Sequence, residues 1–182
     1  MLIYRINEEI SLKAFGEGDA EEFYHLIIHS KDYLKEWLGW LDSINSPNDT
    51  LRNIQAKQKE AAENGGYPIS FAIVYKGAIV GTIGFNTISK MNKIGSIGYW
   101  LGEEYQGSGI MTLTFEFVID YGFKMLALHK IEVRVAEKND KSRSLPKHFG
   151  FAEEGRLRQV EWLYDHFTDH IVYGLLAEEW IR

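Results

Sequence analysis

The sequence predicts one α+β domain, and three observations carry that prediction. Residues 69–101 hold three β-rich runs separated by turn residues, helical patterns stand on both sides of them, and further β-rich runs follow the long helical pattern near residue 120. A chain of 182 residues that is 45% hydrophobic and 14% aromatic carries enough apolar material for one packed core and slightly too little for two of ordinary size. A single domain over 1–182 is therefore expected. No internal repeat or linker breaks it, and the three prolines are scattered at 47, 68 and 146.

The elements follow in order. Residues 10–15 alternate as a strand, and Gly16-Glu17-Gly18-Asp19 breaks it and caps a helix over 20–29. Leu34, Trp37, Leu38 and Leu41 fall at helical spacing, and a polar helix over 48–63 is ended by Asn64-Gly65-Gly66. The runs 69–75, 78–88 and 94–101, with turns at Lys76-Gly77 and Asn92-Lys93, read as an antiparallel meander. A long apolar-periodic helix over 112–126, a strand over 130–136 and a short helix over 142–149 come next. Pro146 suits that short helix only in its first turn, where its missing N–H has no partner to lose. Strands near 151–159 and 167–176 close the order.

Composition narrows the chemistry. Without cysteine there is no disulfide framework, no thiolate metal site and no Cys nucleophile. The first residues show a short apolar alternation followed by Asn7-Glu8-Glu9, which is not a signal peptide, and no apolar run approaches the roughly 20 residues needed to cross a bilayer. A cytoplasmic protein without a membrane partner is expected. The formal charge of -6 argues against general binding of nucleic acid phosphates, although Lys138, Lys141, Arg143, Lys147, Arg156 and Arg158 form a local basic excess. His25 and His29, and His166 and His170 beside Asp165 and Asp169, stand four apart. The first pair lacks an acidic third ligand at helical spacing and the second reads as a polar hairpin, so no metal is expected.

The informative segment runs from Ile97 through Tyr99, Trp100 and Leu101 to Gln106, Gly107, Ser108, Gly109, Ile110, Met111 and Thr112: a strand that ends, turns through glycines and opens a helix. Backbone N–H groups in such a turn and in the first helical turn converge on one spot, where the helix dipole adds about half a positive charge. A pyrophosphate fits there. A nucleotide-hydrolysing loop needs Lys and Ser/Thr after its glycine, but Gly109 precedes Ile110 and Met111. A dinucleotide fingerprint needs a third glycine where Thr112 stands and a parallel sheet rather than a meander, so an oxidoreductase reading is weak. The same glycines would also serve a plain strand-to-helix turn.

Gln106-x-x-Gly109 after a strand ending Gly98-Tyr99-Trp100-Leu101 resembles the pyrophosphate loop of the GNAT acetyltransferases, Arg/Gln-x-x-Gly-x-Gly/Ala, with Met111 departing at its last position. A second block, Asn139-x-x-Ser142 followed by Gly150-Phe151, is similar to the one with which the Rim-type branch, acting on ribosomal-protein N-termini, holds pantetheine and the acyl sulfur. The resemblance spans nearly the whole chain. It implies a mixed, mostly antiparallel sheet with a V-shaped split and helices on both faces. It also implies acetyl-CoA as cosubstrate, held at Tyr99, Trp100, Leu101, Gln106 to Thr112, Asn139 and Ser142, with the basic excess lying around the second block, where nucleotide phosphates could be screened.

Acetyl transfer to an amine needs a neutral amine, a polarised carbonyl and stabilisation of the departing thiolate. An α-amino group, with pKa about 7.7–8.0, needs little help near neutrality. The resemblance places the base at Glu161 and the acid at Ser142, the latter as a hydrogen-bond donor to the thiolate. A backbone amide at the end of the 97–101 strand would polarise the carbonyl. As plain residues, Glu161 would be a solvated strand position and Ser142 a helix cap. Trp37, Trp40 and Trp162 are candidates for a peptide cleft or for the core. The expected activity is N-acetylation of a primary amine, preferably a protein N-terminus, by a chain that forms a homodimer or higher homo-oligomer. The rivals are a small-amine acetyltransferase, acting on polyamines, amino sugars or antibiotics, and a non-catalytic acyl-CoA sensor.

Overall fold

The computed structural model describes residues 2–181. In chain order the elements are β1 (Ile3–Arg5), β2 (Ile10–Ala14), α1 (Ala20–His29), α2 (Lys31–Leu34), α3 (Pro47–Glu63), β3 (Ser70–Tyr75), β4 (Ala78–Ser89), β5 (Ile94–Leu101), α4 (Ile110–Lys124), β6 (Lys130–Ala136), α5 (Asp140–His148), β7 (Ala152–Leu163) and β8 (His166–Leu176). The strands form one sheet in the order β1-β2-β3-β4-β5-β6-β8-β7. Pairing is antiparallel at β1–β2, β2–β3, β3–β4, β6–β8 and β7–β8, and parallel at β5–β6. The parallel ladder runs from Ile94↔Lys130 to Ile97↔Val133, and both strands continue past its last pair. The mixed α+β order expected from the sequence is the one observed.

The backbone divides into two compact units, one of residues up to 84 together with 99–115, the other of 85–98 together with 116 onward. In the first, Phe23 and Ile27 of α1 pack with Phe15, Leu34, Leu41, Ile44, Ile54, Ala72 and Ile79 into one apolar cluster. α3 is polar and contributes two fully buried residues, Thr50 and Ile54. Pro47 occupies its first turn, where no N–H is needed, and Asp49 accepts the Ser46 amide at 2.9 Å. Its end is the predicted one: Gly65 and Gly66 take positive φ, and the Gly66 amide reaches the Ala61 carbonyl at 2.9 Å.

Two sequence expectations change in this unit. Leu34 and Leu41 are buried, yet residues 34–41 are not one helix: the four-residue α2 and a 3-10 turn over Leu41–Ser43 flank a break that contains Gly39. Burial on one side of a looping segment imitates helical periodicity. The first residues, read only as a short alternation, form β1 by pairing with β2 at Ile3↔Lys13 to Arg5↔Ser11.

In the second unit, Ile131, Val133 and Val135 of β6 stand opposite Leu175, Tyr173 and Ile171 of β8, all buried. The strict alternation of β6 gives this face its continuity. The hydroxyl of fully buried Tyr173 accepts from Arg143 Nε at 2.9 Å, and Arg143 also donates to the Glu137 carbonyl at 2.8 Å, so α5 is fastened to the strands it follows. Pro146 lies in the later half of α5, not in its first turn. It has no N–H to donate to the carbonyl of Ser142, a loss confined to one helical bond because the helix ends two residues later. The end is a Schellman turn: Gly150, φ +78°, donates to Lys147 at 3.1 Å and Phe151 donates to Pro146 at 3.0 Å. β7 runs past residue 159, through a bulge, to Leu163, and a two-residue turn at Tyr164-Asp165 joins it to β8.

Candidate active site

The loop after β5 is built from both packing and backbone geometry. Tyr99 meets Phe115 edge-on at 5.2 Å, Trp100 stacks on Phe23 at 5.6 Å, and Leu101 is buried. These side chains anchor the strand, so what residues 99–101 offer a ligand is backbone. The chain then passes through a 3-10 turn, Glu103–Tyr105, to Gln106, whose side-chain oxygen accepts from the Tyr33 hydroxyl at 3.0 Å. The Ser108 hydroxyl donates to the Tyr105 carbonyl at 2.8 Å. Gly107 and Gly109 flank it with φ of +75° and +77°.

Those two angles are why glycine stands at both positions, since no atom lies within 4 Å of where a Cβ would sit at either. The loop residues 107–109 are exposed, whereas Ile110 is buried at the head of α4 and fixes the helix. The Leu113 amide closes the first helical bond, to Gly109 at 3.2 Å. The preceding amides have no intrahelical acceptor, and no acidic residue occupies the first turn. An open, glycine-lined helix N-terminus of this kind fits a phosphate or pyrophosphate. Met111, the departure from the family pattern, turns its sulfur toward its own helix, 3.8 Å from the Thr114 hydroxyl.

The second unit carries the other candidates. Asn139 is the N-cap of α5, its side-chain oxygen accepting the Ser142 amide at 3.0 Å. The cap role that Ser142 was expected to share falls to Asn139, with Ser142 in the first turn. Glu161 lies on β7 opposite Thr168, and its Oε2 is 2.8 Å from His170 Nε2. Just before it the register slips between Leu157↔His170 and Glu161↔Thr168, four residues on β7 against two on β8. Gln159 takes φ +49° within this bulge, and Asp169 staples it by accepting the Gln159 amide and Arg156 Nε, each at 2.7 Å. The Gln159 amide first, and the Arg156 guanidinium second, hold the Asp169 carboxyl below the usual aspartate range.

Sequence reasoning did not find His170 as the partner of Glu161, or Tyr33 as the partner of Gln106. It also overstated the basic excess. Arg143 is engaged with Tyr173 and Glu137, and Arg156 is paired with Asp169 and Glu137, whereas Lys138, Lys141 and Lys147 are exposed. No group of three His, Asp or Glu among the described residues could hold an ion. His166 faces Asp165 at 2.6 Å, while His25 and His29 line a depression of about 460 Å³ with Glu22, Glu104 and Tyr105. Trp40 and Trp162 are partly exposed, Trp40 tilted on Trp100 and Trp162 edge-on to Phe167.

Comparison with known proteins identifies the family. The chain is 32% identical over 182 residues, 99% of its length and 98% of the relative's, to a Bacillus subtilis (strain 168) protein described as "Putative ribosomal N-acetyltransferase YdaF". It is 29% identical, over 96% of both chains, to the ribosomal-protein-serine acetyltransferase of Escherichia coli (strain K12). Its fold matches the solved structure of the microcin C7 self-immunity acetyltransferase MccE in complex with acetyl-CoA and AMP, with TM-score 0.85, 28% identity and 94% of each chain covered. Residues 9–152 match the acetyltransferase (GNAT) domain model, and the chain accordingly belongs to the GNAT family: it is an N-acetyltransferase that uses acetyl-CoA.

Proposed function

We propose that the protein acetylates the α-amino group of a protein substrate, of the ribosomal-protein kind named for its relatives. The observation that carries the cosubstrate assignment is the open glycine loop at the head of α4. There the backbone amides of residues 107–112 bind the pyrophosphate, and Gln106, held by Tyr33, sets the loop's entry. Bound acetyl-CoA supplies an activated acyl carbonyl. The backbone at Tyr99–Leu101 polarises that carbonyl, Glu161 accepts the amine's proton at a carboxylate oxygen, and the Ser142 hydroxyl donates a hydrogen bond to the departing sulfur while Asn139 keeps its helix start in place. An α-amino group, already partly neutral near pH 7.5, is the acceptor best matched to a single carboxylate base.

A second reading, acetylation of a small amine, draws support from the likeness to the spermidine N(1)-acetyltransferase of Vibrio cholerae, 23% identical over 90% of this chain and 91% of the relative. A thiol-release assay against N-terminal peptides, spermidine and amino sugars separates the two. Turnover on peptides at least about tenfold faster than on small amines supports the first, and the reverse supports the second. Acetyl-CoA binding without turnover on any amine would instead indicate a sensor. Glu161→Gln is expected to lower kcat by about 10²-fold or more, the usual worth of a positioned base. An unchanged rate would remove Glu161 from the mechanism.

A further inference from the structure

The hairpin of β7 and β8 holds a second titratable group against the proposed base. Glu161 stands directly opposite Thr168, and His170 lies two residues along the same face of β8, at the diagonal position that a long side chain reaches. The reach is used: Oε2 of Glu161 and Nε2 of His170 are 2.8 Å apart, with the histidine side chain 17% exposed and the glutamate 34%. The bulge creates this pairing. In a regular ladder continuing from Leu157↔His170, residue 159 would face Thr168; the slip puts Glu161 there instead. Asp169, immediately before His170, holds the bulge through Gln159 and Arg156. The device is therefore built into the strand pair.

We propose that His170 is the positioning residue for Glu161. In its Nε2–H tautomer it donates to Oε2, fixes the carboxylate's rotamer and leaves Oε1 to take the proton as the amine N–H bond breaks and an O–H bond forms. This inference rests on Glu161 as base. The charged groups around the pair are Asp169 on the same strand, Arg156 and Arg158 on β7, and Glu137 at the end of β6, whose carboxylate pairs with Arg156 at 3.1 Å. Arg156 and Asp169 satisfy one another, which leaves Glu161 and His170 to each other.

The test compares kcat/KM from pH 5.5 to 9 for the wild type, His170→Ala, His170→Gln, Glu161→Gln and the double variant Glu161→Gln/His170→Ala, with acetyl-CoA affinity measured calorimetrically as a control. His170→Ala should lose about 10- to 100-fold in kcat with acetyl-CoA affinity unchanged within twofold. His170→Gln, which keeps an N–H donor, should recover to within about fivefold. The double variant should be no slower than Glu161→Gln. If Glu161→Gln is itself unimpaired, the base assignment fails and this inference with it. If Glu161→Gln is impaired while His170→Ala matches wild type, if His170→Gln recovers nothing over His170→Ala, or if the double variant's losses multiply, the inference alone is overturned.

Discussion

A single hydrogen bond ties residue 33 to the loop proposed to bind acetyl-CoA. Tyr33→Phe removes the donor to Gln106 and nothing else from the fold. An ordinary net hydrogen bond is worth about 0.5–1.5 kcal/mol, so acetyl-CoA affinity should fall roughly 2- to 12-fold by calorimetry with little change in thermal midpoint. Asp169 makes a pH prediction. Its carboxyl is held below the ordinary aspartate value of about 3.9, so its contribution to stability is present above that value and is lost as pH falls through the lower folded one. Hydrogen exchange at the Gln159 amide should accelerate across that acid window in the wild type, and Asp169→Asn should accelerate it already at neutral pH. At this scale the turn at Gly107 and Gly109 was legible in the sequence, because a left-handed backbone is a local demand. Tyr33 and His170 were illegible: one acts across 73 residues, and the other meets Glu161 only through a slipped register.

At the scale of elements, the loop and the first turn of α4 act as one device whose glycines answer to backbone angle rather than to crowding. Gly109→Ala places a Cβ in open space at a left-handed φ, which costs roughly 1 kcal/mol in local conformation. The expected result is weaker acetyl-CoA binding with a thermal midpoint close to wild type. Gly81→Ala is the contrasting case, because its Cβ would lie 2.3 Å from the Trp100 carbonyl oxygen. It should lower the thermal midpoint and disturb the backbone at the end of β5 together. Helix ends marked by glycine, at residues 65 and 150, were legible because left-handed caps demand that residue. The end of β7 was not: the bulge interrupts its alternation, and the following turn places Tyr164, φ +58°, where asparagine or glycine is the usual signal. Pro146 misled in the same way, since tertiary anchoring through Arg143 maintains a helix that local propensity would shorten.

At the scale of the molecule, each unit has its own apolar interior. Ile54→Ala, which empties a fully buried site on an otherwise polar helix, should cost about 2–5 kcal/mol in urea unfolding. The net charge of -6 favours cationic acceptors over anionic ones, so kcat/KM for a positively charged amine should decline as salt is raised from 50 to 500 mM, more steeply than for a neutral peptide. The mixed class was legible from the succession of periodicities, whereas the strand order was not, because no local pattern announces which edge a late strand will join. That order governs how the protein is made. β8 lies between β6 and β7, so β6 lacks the full length of its antiparallel neighbour until residue 176 has been synthesised, and the pair Lys130 with Leu176 closes a loop of more than forty residues. Non-local pairing of this kind is slow. The nascent chain must therefore carry the apolar face of Ile131, Val133 and Val135 unpaired by β8 until Ile171, Tyr173 and Leu175 have been made.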